Sequence, residues 1–330
     1  MASIRDVARL ANVSPATVSR VINGTANVDA EKTDRILHAI KETGFIPNEA
    51  ARTLFRKSAK MIGLILPAIE NPFFTQLASA IDRTANQFGY RLFMYNTSDD
   101  ADKELAAFQA LLSMNVDGII LTSCSEKLHQ AVKDCTVPVV ITDRISSVPG
   151  LDAYLYCDCY QGGRLATEHL VACGCSRIAC LQAPQHMFSA RTRYEGYRDV
   201  CRERGLEERI IPCDYDFHAG LTATEQLLER YPDTDGVVAC NDMVAISAYK
   251  VLHKLGISVP GQIQLVGFDG IHLSGLLSPE LTTVRQPIEE IGIKATELII
   301  HRTYPHEGAK FVYSPELVIR ETTKRKEPSK

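Results

Sequence analysis

The chain has 330 residues, 45% hydrophobic and 23% charged, a balance that supports a sizeable packed core and excludes a disordered polymer. No apolar run is long enough for a membrane span, and Arg5, Asp6 and Arg9 interrupt the N-terminus before a secretory signal forms, so a cytoplasmic protein is expected. The net charge of -4 conceals a split: residues 1–60 hold 10 Lys/Arg against 6 Asp/Glu, leaving an acidic remainder, which excludes the body but not the head as a partner of a polyanion.

Ile4, Val7, Ala8 and Ala11 recur at helical spacing and predict a helix over 4–11. Asn12 tolerates a left-handed turn, Ser14 is a good N-cap, Pro15 suits the first helical position and Thr17 adds a hydroxyl a turn later, so a second helix begins almost at once. D-A-E-K-T-D-R-I-L-H-A-I-K-E-T-G predicts a third, with Ile36, Leu37 and Ile40 as its apolar face and Gly44 as its end. Helix, short turn, helix is the helix-turn-helix pattern. So small a unit holds little beyond its own core, which leaves its other faces to a partner.

From residue 61 the rhythm changes. The runs I-G-L-I-L, Y-R-L-F-M-Y, V-D-G-I-I-L and P-V-V-I-T-D alternate with amphipathic helical stretches, and the series resumes with R-I-A-C-L-Q, I-I-P-C, G-V-V-A-C-N and I-Q-L-V-G-F. Strands separated by helices predict parallel sheets covered on both faces, and there are too many for one comfortable sheet. Two lobes of open α/β sheet are expected, with crossings near 157–162 and 282–287. Ten cysteines are scattered along this region without the paired spacing of a structural zinc site, and are expected to be reduced and to act as small hydrophobes.

Ligands of open α/β sheets bind beyond the carboxyl ends of strands, where polar and aromatic residues should collect. They do so here: Asn71, Phe73 and Phe74; Asp143 and Arg144; Ser189 and Arg193; Phe217; Asn241 and Asp242; Asp269; Gln286. Carboxylates accept from hydroxyls, arginine donates through a rigid fork, and phenyl faces cover the C–H surface of a sugar ring, so the set fits one polyhydroxylated molecule. Taken singly, Asn71 and Ser189 also read as helix caps, Phe73 and Phe74 as core, Arg144 and Arg193 as salt-bridge partners, and Asp242 as the start of a helix. No glycine-rich phosphate loop follows a strand, and Asp143 with Asp269 reads as a hydroxyl-binding pair more readily than as a catalytic one. No catalytic residue, metal site or cofactor is assigned, and no enzyme is expected.

I-R-D-V-A-R-L-A-N-V-S-P-A-T-V-S-R-V-I-N-G, G-F-I-P-N-E-A-A-R-T-L, I-G-L-I-L-P, N-P-F-F, L-V-G-F-D-G and L-T-T-V-R-Q, in this order, resemble the bacterial LacI-type transcriptional repressors over residues 3 to 321. The resemblance implies a small all-α helix-turn-helix head (1–46), a hinge helix and linker (47–60), and a two-lobed α/β body like the periplasmic binding proteins (61–330). Its lobes would comprise 61–158 with 287–303, and 159–285 with 304–321. It also implies a homodimer on palindromic operator DNA. Pro15, Ala16 and Arg20 would face base edges in the major groove, and Ser14, Thr17 and Ser19 would lie near phosphates. In the hinge segment Asn48, Ala51, Arg52 and Leu54 would meet the minor groove.

In the body the resemblance is to ribose binders. Asn71, Phe73, Phe74, Asp143, Arg144, Arg193, Phe217, Asn241, Asp269 and Gln286 match sugar-contacting positions, Ser189 standing beside them, and Gly270 follows the ribose-type G-F-D-G. Ribose is the expected effector; another pentose, a hexose or a sugar acid is the alternative. A regulator governed by a phosphorylated partner protein, and a sugar-binding protein without DNA function, are the other readings.

Overall fold

The computed structural model describes residues 2–23, 28–45, 58–143, 148 and 150–324. Two compact units divide the chain at Ala59/Lys60.

In the first unit, α1 (Ile4–Leu10), α2 (Pro15–Asn23) and α3 (Ala30–Thr43) enclose a core of Val7, Ala8, Ala11, Val18, Ile36 and Ala39. The start of α1 is closed by Ser3, whose hydroxyl and backbone N–H both donate to the Asp6 carboxylate at 2.7 and 2.9 Å. Asn12 takes the left-handed conformation (φ 53°) between α1 and α2, and Gly44 (φ 63°) ends α3. The expected apolar face of α3 needs one correction: Leu37 is 54% exposed, and Ala39 takes its place against the core. Ile36 and Ala39 share the inward face at a spacing of three, whereas Leu37 is rotated about 100° from Ile36.

The second unit carries two six-stranded sheets. The first contains β1 (Met61–Leu66), β2 (Arg91–Asn96), β3 (Gly118–Leu121), β4 (Val139–Thr142), β5 (Ala153–Cys157) and β11 (Ala309–Tyr313), in the order β11-β5-β4-β3-β1-β2, all parallel. The second contains β6 (Ile178–Gln182), β7 (Arg209–Pro212), β8 (Gly236–Ala239), β9 (Gln264–Asp269), β10 (Thr282–Arg285) and β12 (Glu316–Val318), in the order β12-β10-β9-β8-β6-β7, with only β12 antiparallel. β1, β3, β4, β8 and β9 are buried at nearly every residue, as strands covered on both faces must be.

Crossings occur where expected, after Cys157 and at Gln286–Ile288, and a third runs from Tyr313 to Glu316. The third moves a boundary: β11 pairs with β5, so 309–313 belongs to the first lobe rather than the second, where the sequence reading put it. β11 alternates exposed and half-buried residues at a sheet edge, a pattern that carries no mark of which sheet it joins.

All ten cysteines are free thiols and seven are buried among apolar side chains. No described helix is long and apolar enough to cross a membrane.

Candidate functional site

Parallel strands deliver their carboxyl-end loops to one edge of each sheet, and the two edges face each other across a narrow gap of about 20 Å3, room for roughly one water. Small-molecule sites hold roughly 300–1,000 Å3, so this gap admits a ligand only with the lobes further apart. Its wall is Asn71, Phe73, Phe74 and Asp143 from the first lobe, with Ser189, Arg193, Tyr215, Asp269 and Gln286 from the second lobe and the crossover. Eight of these nine were singled out from sequence.

Asn71 serves twice. Its Oδ1 accepts from the Phe73 N–H at 3.0 Å and so caps α4 (Pro72–Gln87), which places its amide nitrogen at the cavity. Phe73 and Phe74 meet edge to face, centroids 5.1 Å apart, and are both core and wall. Asp143 follows β4 and Asp269 ends β9, with positive φ of 66° and 111°; aspartate takes the first at modest cost, whereas the second lies beyond the left-handed helical region and is held there by the surrounding structure. After Asp269 comes Gly270 (φ 73°), where a Cβ would lie 2.6 Å from the Arg285 side chain and 2.7 Å from its Cα; no larger residue fits.

Arg193 lies on α8 (Phe188–Arg204) and is buried. Its guanidinium carbon sits 3.4 Å from the centroid of the Phe268 ring, Nη1 donates to the Cys240 carbonyl, and Nη2 reaches Cys159 Sγ at 3.7 Å. Its Nε has no partner among the described residues. An unmet donor on a buried cation is costly and marks a position that a ligand oxygen would satisfy. Gln286 Nε2 donates to Asp269 Oδ1 at 2.9 Å, which orients that carboxylate. Burial pushes the Asp269 carboxyl well above its ordinary range; Arg193 pulls it back, and the Asp242 and Asp143 carboxylates raise it further.

Two expected contacts are not on the wall. Asn241 is buried with both ends of its amide engaged: Oδ1 accepts from Val244 N at 2.8 Å, capping α10 (Asp242–Lys254), and Nδ2 donates to the Tyr215 carbonyl at 2.9 Å. It holds the Tyr215 loop. Phe217 opens α9 (Phe217–Arg230), with Lys250 Nζ 5.2 Å from its ring centroid. Tyr215, from the same D-Y-D-F stretch, stands on the wall where Phe217 does not, and nothing local tells which of two residues in a strand-to-helix turn faces the gap. Arg144 lies outside the described residues.

Asp242 does begin α10, as the sequence reading expected, yet it is completely buried. Burial pushes its carboxyl up to about 7, against the Thr283 hydroxyl and the Ile271 and Gly270 amides that favour the ionised form. A carboxyl raised in the folded state from about 3.9 when unfolded stabilises the fold in its protonated form, and that contribution is lost as pH rises from about 4 through 7. Asp242→Asn is therefore expected to gain in Tm relative to the native protein as pH goes from about 5 to 8, read by calorimetry; a difference independent of pH contradicts the assignment.

In the first unit, Ser14 caps α2 by accepting from Thr17 N at 3.1 Å, and its hydroxyl lies 2.8 Å from Thr17 Oγ1. Ser14, Pro15, Ala16 and Arg20 are exposed, Thr17 and Ser19 half-buried, on faces turned away from the buried Val18. Arg20 forms no ion pair among the described residues, so its fork is available to an acceptor. Asn48, Ala51, Arg52 and Leu54 lie outside the described residues.

A family model described as periplasmic binding proteins and sugar binding domain of the LacI family matches residues 59–316, and one described as bacterial regulatory proteins, lacI family, matches residues 3–48. The chain is 39% identical over 333 residues to the ribose operon repressor of Halalkalibacterium halodurans, covering 100% of this chain and 99% of that one. The lac repressor dimer bound to operator and the anti-inducer ONPF superimposes with a TM-score of 0.85 at 27% identity, covering 97% of this chain and 98% of that one. A LacI family transcriptional regulator from Enterococcus faecium with bound ribose gives a TM-score of 0.72 at 26% identity, covering 80% and 98%.

Proposed function

Because the chain belongs to the lacI family of bacterial regulatory proteins, we propose that it is a repressor that grips a palindromic operator as a homodimer and releases it when ribose fills the cavity between its lobes. The observation that carries the ligand half is Arg193, buried with an Nε that has no partner among the described residues, on one wall with the Asp269–Gln286 pair, Phe73 and Phe74. That combination of donors, acceptors and apolar cover suits a small neutral polyol. Support for ribose comes from the relative named a ribose operon repressor and from the similar structure with ribose bound. Support for a dimer on operator comes from the lac repressor complex.

The sugar draws the lobes together around Asp143 on one side and Asp269 on the other. Closure moves the first lobes of the dimer relative to each other, changes the spacing of the segments at 47–56, and so weakens their fit to the operator. Asn48, Ala51, Arg52 and Leu54 are the hinge contacts of this reading, and Arg20 its principal base contact, reading a guanine edge through two hydrogen bonds. Arg20→Ala is expected to cost about 1–3 kcal/mol of operator affinity while ribose affinity stays unchanged; equal weakening on scrambled DNA makes Arg20 a phosphate contact instead.

Calorimetry with ribose against the purified protein tests the ligand half directly: one site per chain is expected. A thermal-shift panel in which another pentose, a hexose or a sugar acid outperforms ribose replaces the effector and keeps the mechanism. A protein that binds no sugar yet responds to a phosphorylated partner protein overturns the reading.

A further inference from the structure

We propose that Asp242 is the positioning residue of this site, a carboxylate that never meets the sugar but holds in register the two segments that do. The inference rests on reading the cavity as a sugar site.

Asp242 is completely buried at the first position of α10. Its Oδ1 accepts the Thr283 hydroxyl at 2.5 Å, and its Oδ2 accepts the Ile271 N–H at 2.9 Å, with the Gly270 N–H also directed to it. Thr283 lies on β10, three residues before Gln286, and Gly270 and Ile271 directly follow Asp269. One carboxylate therefore joins the end of β9 to β10, and with them the two cavity residues whose side chains already bond to each other. β9 makes room for it: a Cβ on Gly267 would collide with Asp242 Oδ1 and lie 2.9 Å from Leu281 Cδ2. The strained φ of Asp269 needs such an external hold, since relaxation of that residue would swing its carboxylate away from the gap.

A purely structural role is a poor fit to the chemistry. Among the described residues no cation pairs with Asp242: Arg320 acts on it only through space, its Nη1 being committed to Ser274 Oγ at 3.0 Å and the Leu281 carbonyl at 2.8 Å. The charged groups around it are Asp269 from β9 and Arg320 beyond β12, with Arg193 of α8 facing Asp269 from the far side. An unpaired buried carboxylate weakens a fold that a neutral residue would serve as well. What it supplies is an acceptor at both oxygens, one for the Thr283 hydroxyl and one for the backbone N–H groups; an amide could match it only by reversing the Thr283 hydroxyl from donor to acceptor.

Asp242→Asn keeps the shape but replaces one charged acceptor with a neutral donor, so the Thr283 hydroxyl must give up its present bond and turn to accept. The expected result is ribose affinity weakened about tenfold, the loss of one charge-assisted hydrogen bond, with sugar-free operator affinity unchanged. Thr283→Val, which removes the hydroxyl and leaves the carboxylate, is expected to weaken ribose binding about threefold. Native-like ribose affinity in Asp242→Asn overturns the proposal, as does native-like affinity in Thr283→Val if Asp242→Asn fails to fold. If the native protein binds no ribose, the functional reading fails, and hydrogen exchange still decides this one. Faster exchange in Asp242→Asn confined to residues 267–276 and 282–288 supports it, and uniform or unchanged exchange overturns it.

Discussion

Asp269→Ala is expected to abolish the response to sugar while leaving operator binding without sugar at its native level. Asp269 is the gap-facing end of β9, oriented by Gln286 at 2.9 Å and within the field of Arg193. Ionised, it accepts from two hydroxyls at once, and each hydrogen bond to a charged group is worth about 1.5–3 kcal/mol, so ribose affinity should fall by about 100-fold or more. Truncation also leaves the Gln286 amide without its acceptor and takes a carboxylate away from the buried Arg193, so thermal stability should fall. Calorimetry with ribose, DNA binding without it and a melting curve separate these effects. Loss of operator binding together with sugar binding identifies Asp269 as structural.

The second large effect lies away from the cavity. Gly163→Ala is expected to destabilise the body by about 3 kcal/mol, the upper part of the range for overpacking, and to lower Tm by about 5–10 °C. α7 (Cys159–Ala172) and α8 cross so closely that a Cβ at Gly163 would collide with the Arg193 carbonyl, and one at Gly196 with the Tyr160 carbonyl. Both obstacles are backbone and cannot rotate aside. Because the collision falls on Arg193 itself, ribose affinity should drop in the same variant. Unchanged melting would mean that the two helices separate without cost.

These two residues differ in how visible they are from sequence. Asp269 announces itself at the end of an apolar run, L-V-G-F-D-G, because a carboxylate at a strand end has few reasons to be there. Gly163 does not: in C-Y-Q-G-G-R its importance comes from a helix 30 residues later, and no local pattern records that crossing. The same division runs through the site. Asn71, Asp143, Ser189, Arg193, Asp269 and Gln286 were legible because chain order and strand periodicity placed them at carboxyl ends. Tyr215 and Asn241 were not, since their placement depends on how one turn is pinned, with the Asn241 amide holding the Tyr215 carbonyl.

At the level of the fold, β1 to β4 and β6 to β9 are continuous apolar runs and read plainly. β5, β10, β11 and β12 are absent from those eight runs, and β11 and β12 lie at sheet edges, where burial leaves a weak pattern. The third crossing escaped with them. In the head, capping by Ser14 and the turn at Asn12 follow from local chemistry alone, whereas the exchange of Leu37 for Ala39 in the core reflects the angle at which α3 meets its neighbours.

The most direct measurement is fluorescence anisotropy of a labelled palindromic operator bound to the native protein, titrated with ribose. The account predicts that operator affinity falls to a plateau, and that ribose binds more weakly to the DNA complex than to free protein by the same factor, as linkage between two sites requires. Saturating ribose that binds the protein and leaves operator affinity unchanged contradicts it.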